Sequence, residues 1–334
     1  MRRSKRTAGS VIVLLLVLSA AMADAVAVNA PARQFPDYVY APPMPIRLID
    51  RNGNLRWPFV YPLKLQSRLE RTFVEERDPM PLRLFAGGSL ISVGADRSPW
   101  FPLGTDALGR DVFSRLVAGA RLSLGVALVS VAGALLIGAL AGAIAGFAGG
   151  YVDDVLMRIS DFIIALPAVY VVLALRAAAP LVLTTAEIFM IMVTVFALVG
   201  WPFAARGVRA VIAAERTREY AEAARSIGAS GTRLLLRHLL PAAGGFLAAQ
   251  ATLLLPAFIL AEATLSFAGL GFGEPTASWG VMLQEAGRGR ALADAPWLLA
   301  PAAAIAVLVF GVTLLTDSDA SARRASIASS KYHG

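Results

Sequence analysis

Residues 122–150 are 29 consecutive positions without a charge. As an α-helix rising about 1.5 Å per residue, such a run spans about 43 Å. That exceeds the hydrocarbon core of a bilayer, about 30 Å thick. A helix apolar on every side belongs in the centre of a large protein or in a membrane. Composition decides between the two. The chain is 57% hydrophobic and 16% charged, whereas soluble domains average about 45–50% apolar and about 25% charged. The sequence therefore describes an all-α polytopic membrane protein.

Five further runs have the length and apolarity of a span: roughly 11–30, 155–177 (uncharged over 162–175), 188–205, 239–261 and 295–316. About six transmembrane helices are expected. The first run is ambiguous. "MRRSKR" followed by "VIVLLLVLSAAMA" also reads as a secretory signal with an Ala-x-Ala site at Ala21–Ala23. The lipid-embedded bulk downstream favours an uncleaved anchor.

Residues 31–120 are of another composition, rich in proline, arginine and aromatics. Alternation and the turn "RNGN" at 51–54 predict short strands and a hairpin. Tyr38, Tyr40, Trp57, Phe59, Tyr61, Phe73 and Phe85 are too many aromatics for a solvated linker. A small folded cap over about 36–92 is expected, with arginines at 47, 51, 56, 68, 71, 77 and 83 as a basic rim.

Orientation follows from the excess of Lys and Arg in cytoplasmic loops. With "MRRSKR" inside, six spans place 31–120 outside and 206–238 inside. The inner segment holds Arg206, Arg209, Arg216, Arg218, Arg225, Arg233 and Arg237. The expected organisation is a stub and first span (1–30), an extracytoplasmic insertion with an interfacial helix (31–120), a permease core (121–316) with a cytoplasmic loop at 206–241, and a cytoplasmic tail (317–334). The net charge of +8 is that of arginines gathered where loops meet anionic lipid and the cytoplasm. No nucleic-acid partner is expected.

Several chemistries are excluded. With no cysteine, the chain has neither a disulfide nor a cysteine metal site. Its two histidines, His238 and His333, leave little for a histidine-based one. Lysines stand only at 5, 64 and 331, none after a glycine-rich loop. The chain therefore lacks a Walker A phosphate cradle, and any ATP-driven work requires a partner.

The stretch "EYAEAARSIGASGTRLLLRHLLP" carries its charge between two apolar runs. At 100° per residue, Tyr220, Ala223, Ala224 and Ile227 share one face. Arg218, Glu222 and Arg225 lie opposite. Gly228 supplies the residue that ends a helix with positive φ. Ser230 is placed to cap a second short helix, and Pro241 to open the fifth span. A helix of about ten residues is marginal alone in water. Its small apolar face must dock either on the bundle's own underside or in the groove of a cytoplasmic protein.

Those residues resemble the EAA loop of ABC-importer permeases: Glu222, Ala223, Ala224, Gly228, Leu240 and Pro241 match without gaps. "PLGTDALGRDVFSRLVAGARLSL" (102–124), "VDDVLMRISDFIIALPAVYVVLAL" (152–175) and "QATLLLPAFILAEATLSFAGLGFGEPTASWGVML" (250–283) are similar, in order, to the dipeptide/oligopeptide branch. The resemblance implies the type I importer permease fold in the inner membrane of a bacterial cell. It implies a transport subunit without enzymatic activity or cofactor. The implied partners are a second homologous permease, two ATP-binding subunits, an extracytoplasmic solute-binding protein and membrane lipid. In that family the EAA helix couples the permease to its ATPase. Peptides are the implied cargo, with nickel or another small solute as the alternative. Two stretches depart from the family: 31–100 is longer than usual for the branch, and the tail lacks a Gly-Asp-x-x-Arg-Asp-like ending.

Other features stand apart. Gly138, Gly142, Gly146 and Gly150 recur every four residues, a stripe that lets another helix approach closely. Packing within the same bundle is the expected use. Asp161 and Glu262 lie near span ends, as groups of the translocation pathway or as solvated interfacial ones. "GASG" at 228–231 also fits an intramembrane serine protease with Ser230 as nucleophile and His238 or His333 as base.

Overall fold

The computed structural model describes residues 2–68, 70–86, 89–93, 98–167, 170–171, 173–174, 183–288 and 291–331. The chain forms two compact units. The core unit comprises residues 1–9, 126–262 and 312–334, and the insertion unit residues 10–125 and 263–311.

Among the described residues, four helices are long and apolar enough to cross a membrane: Val112–Ala148, Thr185–Glu215, Gly244–Phe267 and Pro296–Leu315. The first is α3, a single helix of 37 residues. Residues 112–120, expected in a separate interfacial helix, are its opening turns. α1 (Arg2–Ala21) ends at Ala21 and is followed by the short α2 (Ala23–Val26). The first apolar helix, Thr7–Ala21, is thus shorter than the run at 11–30: the chain breaks at Met22, and Asp24 lies in the first turn of α2. The third candidate span begins as α4 (Gly150–Ala165). Of its remainder, 168–169, 172 and 175–177 lie outside the described residues.

Within the core unit, α3 packs on α5 (Thr185–Glu215) through glycines. A Cβ at Gly138 would stand 2.5 Å from Ala204 Cβ, at Gly142 2.3 Å from the Ala205 carbonyl oxygen, and at Gly146 2.7 Å from the Arg209 carbonyl oxygen. Real Cβ atoms do not approach so closely, so these backbones meet with no side chain between them. The stripe therefore serves its own bundle. Gly150 does not belong to it: nothing lies within 4 Å of its Cβ position. α5 starts at a capping box in which Thr184 and Glu187 exchange hydrogen bonds, satisfying two orphan N–H groups.

The insertion unit confirms the strands. β1 (Arg47–Ile49), β2 (Leu55–Val60), β5 (Met80–Ala86) and β6 (Ser89–Val93) form an antiparallel sheet in the order β1-β2-β5-β6. β3 (Leu63–Ser67) and β4 (Thr72–Glu75) form a separate hairpin. The β1–β2 turn is organised by Asp50, whose Oδ1 accepts from the backbone N–H groups of Asn52 and Asn54, both at 2.9 Å. The bond from the Asn54 N–H, acting against burial and helped by the Arg56 guanidinium and then by the Asn52 N–H, holds the Asp50 carboxyl below its ordinary value.

Strand alternation gives this sheet two unlike faces. Val60, Met80, Leu82 and Val93 turn into a core with Ala41, Met44, Trp100 and Phe101. On the other face Ile49, Leu55, Trp57 and Phe85 are exposed. The arginines do not form the free basic rim expected from the sequence. Arg47 and Arg51 both bind Glu75, Arg56 binds Asp50, Arg68 binds Asp37, and Arg71 lies over the Tyr40 ring. The open face is apolar, with much of its positive charge already matched.

The EAA loop and the buried charge network

α5 ends at Glu215, and three residues later α6 (Glu219–Ser226) begins. Arg218 N–H donates to the Glu215 carbonyl at 3.2 Å, and Tyr220 Oη to Glu215 Oε2 at 2.9 Å. The two helices are joined by more than the chain. α6 stops at Gly228, which adopts φ +88°. Its N–H bonds the Arg225 carbonyl while the Ala229 N–H bonds that of Ala224, closing the end as a left-handed glycine does. Ser230 then caps α7 (Gly231–Leu234), its hydroxyl accepting from Arg233 N–H. The serine offered as a protease nucleophile is a helix cap.

The inward face of α6 is rotated from the expected one. Ala221 is fully buried and Ala224 half-buried against Ile212, Leu234 and Leu239. Tyr220, Ala223 and Ile227 are exposed, Ile227 to 86%. The buried arc therefore centres between Ala221 and Ala224, roughly 80° from the centre of the expected apolar face. Alanine at 221 permits the close approach. The displaced apolar residues form a separate, uncovered stripe, and Glu222 and Arg225 are exposed on the opposite side of the helix.

Leu240 is half-buried beside the same core and Pro241 lies in a short turn, Leu240–Ala242. The span helix proper, α8, is Gly244–Phe267, so Pro241 precedes it rather than opening it. The chain enters through a π-turn, Leu235–Leu239, where Leu240 N–H donates five residues back to Leu235. Pro241 has no N–H to continue a regular ladder, and a wider turn absorbs the mismatch.

Of the two acidic candidates, Asp161 is exposed and pairs with Arg206. Glu262 is fully buried in α8, so the solvated reading does not hold for it.

Sequence reading missed a second constellation, in the insertion unit. The loop before α3 places Arg110 among three carboxylates: Asp106 at 2.6 Å, Glu274 at 2.5 Å and Glu285 at 3.3 Å. Arg115 adds a bond to Glu274 at 3.2 Å. Glu274 comes from the loop after α8, and Glu285 from α9 (Trp279–Ala286). Burial opposes the charge of Arg110, but the hydrogen bond it donates to Glu274 and the Asp106 carboxylate outweigh burial and hold the guanidinium protonated. Burial, then the Asp106 charge, pushes Glu285 up. Beside this cluster Asp111 is fully buried and pushed up to about 6 by desolvation, against hydrogen bonds from Ser114 and Asn29. The charges were visible in "TDALGRDVFSR". Their buried partners, more than 150 residues away, were not.

Long apolar helices, with a short amphipathic helix following one of them, define a membrane-spanning protein. Residues 115–322 match the family described as binding-protein-dependent transport system inner membrane component. The chain belongs to that family. It is 38% identical over 230 residues to the oligopeptide transport system permease protein OppC of Bacillus subtilis, covering 67% of this chain and 72% of that one. It is 39% identical over 219 residues to the dipeptide transport system permease protein DppC of the same organism, covering 65% and 66%. A DppC of Alkalihalophilus pseudofirmus is 36% identical over 225 residues, covering 67% and 71%.

Proposed function

We propose that this permease carries peptides inward in an ATP-driven importer, with α6 as the helix through which an ATP-binding subunit moves it. The observation that carries the reading is the uncovered stripe of Tyr220, Ala223 and Ile227 on a helix bearing the Glu222-Ala223-Ala224 motif. An isoleucine 86% exposed on a helix too short to stand alone is a surface waiting for a groove. Glu222, Ala223, Ala224, Gly228, Leu240 and Pro241 are the coupling loop, and Glu262 lies along the translocation route. The full partner set is a second homologous permease, two ATP-binding subunits and an extracytoplasmic binding protein. Reconstitution of that assembly with a mixed tripeptide pool tests the reading. ATP-dependent accumulation of peptides supports it, and exclusive uptake of a metal ion would replace peptide with metal as cargo.

Six spans with the insertion outside complete the proposal: the four long helices, the first apolar helix Thr7–Ala21 and a third span begun by α4. Asn54 sits exposed at the β1–β2 turn in a chain without cysteine. Asn54→Cys should react with an impermeant maleimide in intact spheroplasts. Labelling only after lysis reverses the orientation.

The open apolar sheet face is the landing surface for the binding protein in this reading. Trp57 and Phe85 are exposed to 63% and 81%, so replacing them changes stability by only about 0.5 kcal/mol. As anchors in an interface, each contributes about 2 kcal/mol or more. Trp57→Ser with Phe85→Asn should therefore weaken capture of the binding protein without loss of membrane assembly. Because the nearby arginines are mostly paired, capture should depend little on salt. Unchanged capture by the double variant removes the landing role.

A further inference from the structure

Three arginines of α5 reach across the core unit to other helices. Arg206 pairs with Asp161 of α4. Arg209 grips Asp153, in the first turn of α4, through two parallel bonds of 2.5 Å each, Nε to Oδ1 and Nη2 to Oδ2. Arg216 Nη1 donates at 2.5 Å to the carbonyl of Phe147 in the last turn of α3, an acceptor that the end of the helix leaves unsatisfied. Spacings of three and ten residues put all three arginines within an arc of about 80° on α5. A few residues beyond Arg216, α5 passes into α6 and is tied to it at Glu215. Higher on the same helix, Gly138, Gly142 and Gly146 hold α3 against α5 backbone to backbone.

We propose that Arg209 and Asp153, supported by Arg206 and Arg216, are transmission residues: they make α3 and α4 travel with α5 when α6 is displaced by the ATP-binding subunit. The inference rests on the coupling role of α6 proposed above. The bidentate geometry gives direction to the link. A planar fork on a carboxylate resists sliding and rotation, whereas a single contact resists only separation. α4 packs on α5 without a glycine seam of its own among the described residues, and these side chains are the polar link between the two helices. Asp153 is largely sheltered and Arg209 partly exposed, at 14% and 42% of their side-chain surfaces. A half-exposed pair contributes modestly to stability, so the loss of linkage on removing one partner is read beside thermal stability.

The test uses the assembled complex in lipid nanodiscs, with cysteine-free partner subunits and Gly273→Cys in this chain as an outer reporter. Gly273 is exposed, and a Cβ there meets nothing within 4 Å. Maleimide labelling is measured with and without ADP–vanadate trapping, alongside ATPase activity and co-purification of the ATP-binding subunit. In the parent, trapping should change the labelling rate by about fivefold or more, the scale of an allosteric coupling. Asp153→Asn and Arg209→Gln should each reduce that change to less than about twofold while ATPase activity and co-purification persist. The exchanged pair Asp153→Arg with Arg209→Asp should restore it. A full nucleotide response in the single variants overturns the proposal. So does a loss that the exchange does not repair and that runs parallel to a fall in thermal stability, because that is a packing role. Loss of the ATP-binding subunit itself would indict the coupling helix instead, so the two readings fail differently.

Discussion

Arg110→Ala is expected to unfold the insertion unit at temperatures the parent withstands. Arg110 is almost fully buried, with 3% of its side chain accessible, and joins Asp106, Glu274 and Glu285 from three separate segments. Removing it leaves three carboxylates facing one another, two of them deeply buried. Breaking a buried pair by deleting one partner costs about 3–5 kcal/mol, chiefly through the stranded charge. Native proteins hold only about 5–15 kcal/mol in all. Arg110→Lys should recover a fraction, since an ammonium cannot span three acceptors with a fixed fork. Thermal unfolding followed by tryptophan emission, with Trp100, Trp279 and Trp297 buried or half-buried in this unit, reads the effect directly. A shift within the noise of the parent's transition would show that the network is incidental.

Gly142→Leu is expected to part α3 from α5. Even the first carbon of the new side chain would stand 2.3 Å from the Ala205 carbonyl, 2.9 Å from Val208 Cβ and 3.0 Å from the Arg209 N–H nitrogen. Two of these atoms are backbone, so no rotamer change relieves the overlap. Overpacking of a core that can adjust costs about 1–3 kcal/mol, and this site lies at or beyond the upper end. Arg209 is among the displaced residues, so the transmission pair should be lost as well. Gly244→Ala is the control: its Cβ meets nothing within 4 Å, and alanine improves the helix by about 1 kcal/mol. Detergent-solubilised Gly142→Leu should aggregate or be cleaved rapidly by protease where the control and parent remain monodisperse. Equal resistance in all three would refute the tight seam.

The molecule's plan is legible in its sequence wherever local pattern decides. The uncharged run at 122–150 lies in one long helix as far as Ala148, where Gly149 turns the chain into α4. "RNGN" is a hairpin turn because Asp50 and Gly53 accept its geometry. Gly228 and Ser230 end one helix and cap the next as their chemistry requires. What the sequence withheld depends on tertiary contacts. Apolar periodicity could not tell which arc of α6 turns inward, because Ala221 and Ala223 are identical side chains with opposite fates. Nor does a list of arginines reveal that five of the seven on the cap at 36–92 are already engaged. The buried Arg110 cluster depends on residues brought together from both ends of the permease region, which no local spacing encodes.

The central claim is that the stripe of Tyr220, Ala223 and Ile227 is the seat of an ATP-binding subunit. It is tested most directly by protection of a single cysteine. In the isolated permease, Ile227→Cys should react rapidly with maleimide, as befits the most exposed large apolar residue of α6. On addition of the ATP-binding subunit in excess of its dissociation constant, the reaction should slow by about tenfold or more, the occupancy expected when the free fraction falls below a tenth. Glu222→Arg in the same background should weaken that protection, since it reverses an exposed charge of the same docking helix. Labelling of Ile227→Cys at an unchanged rate, in a complex that forms and hydrolyses ATP, would contradict the account.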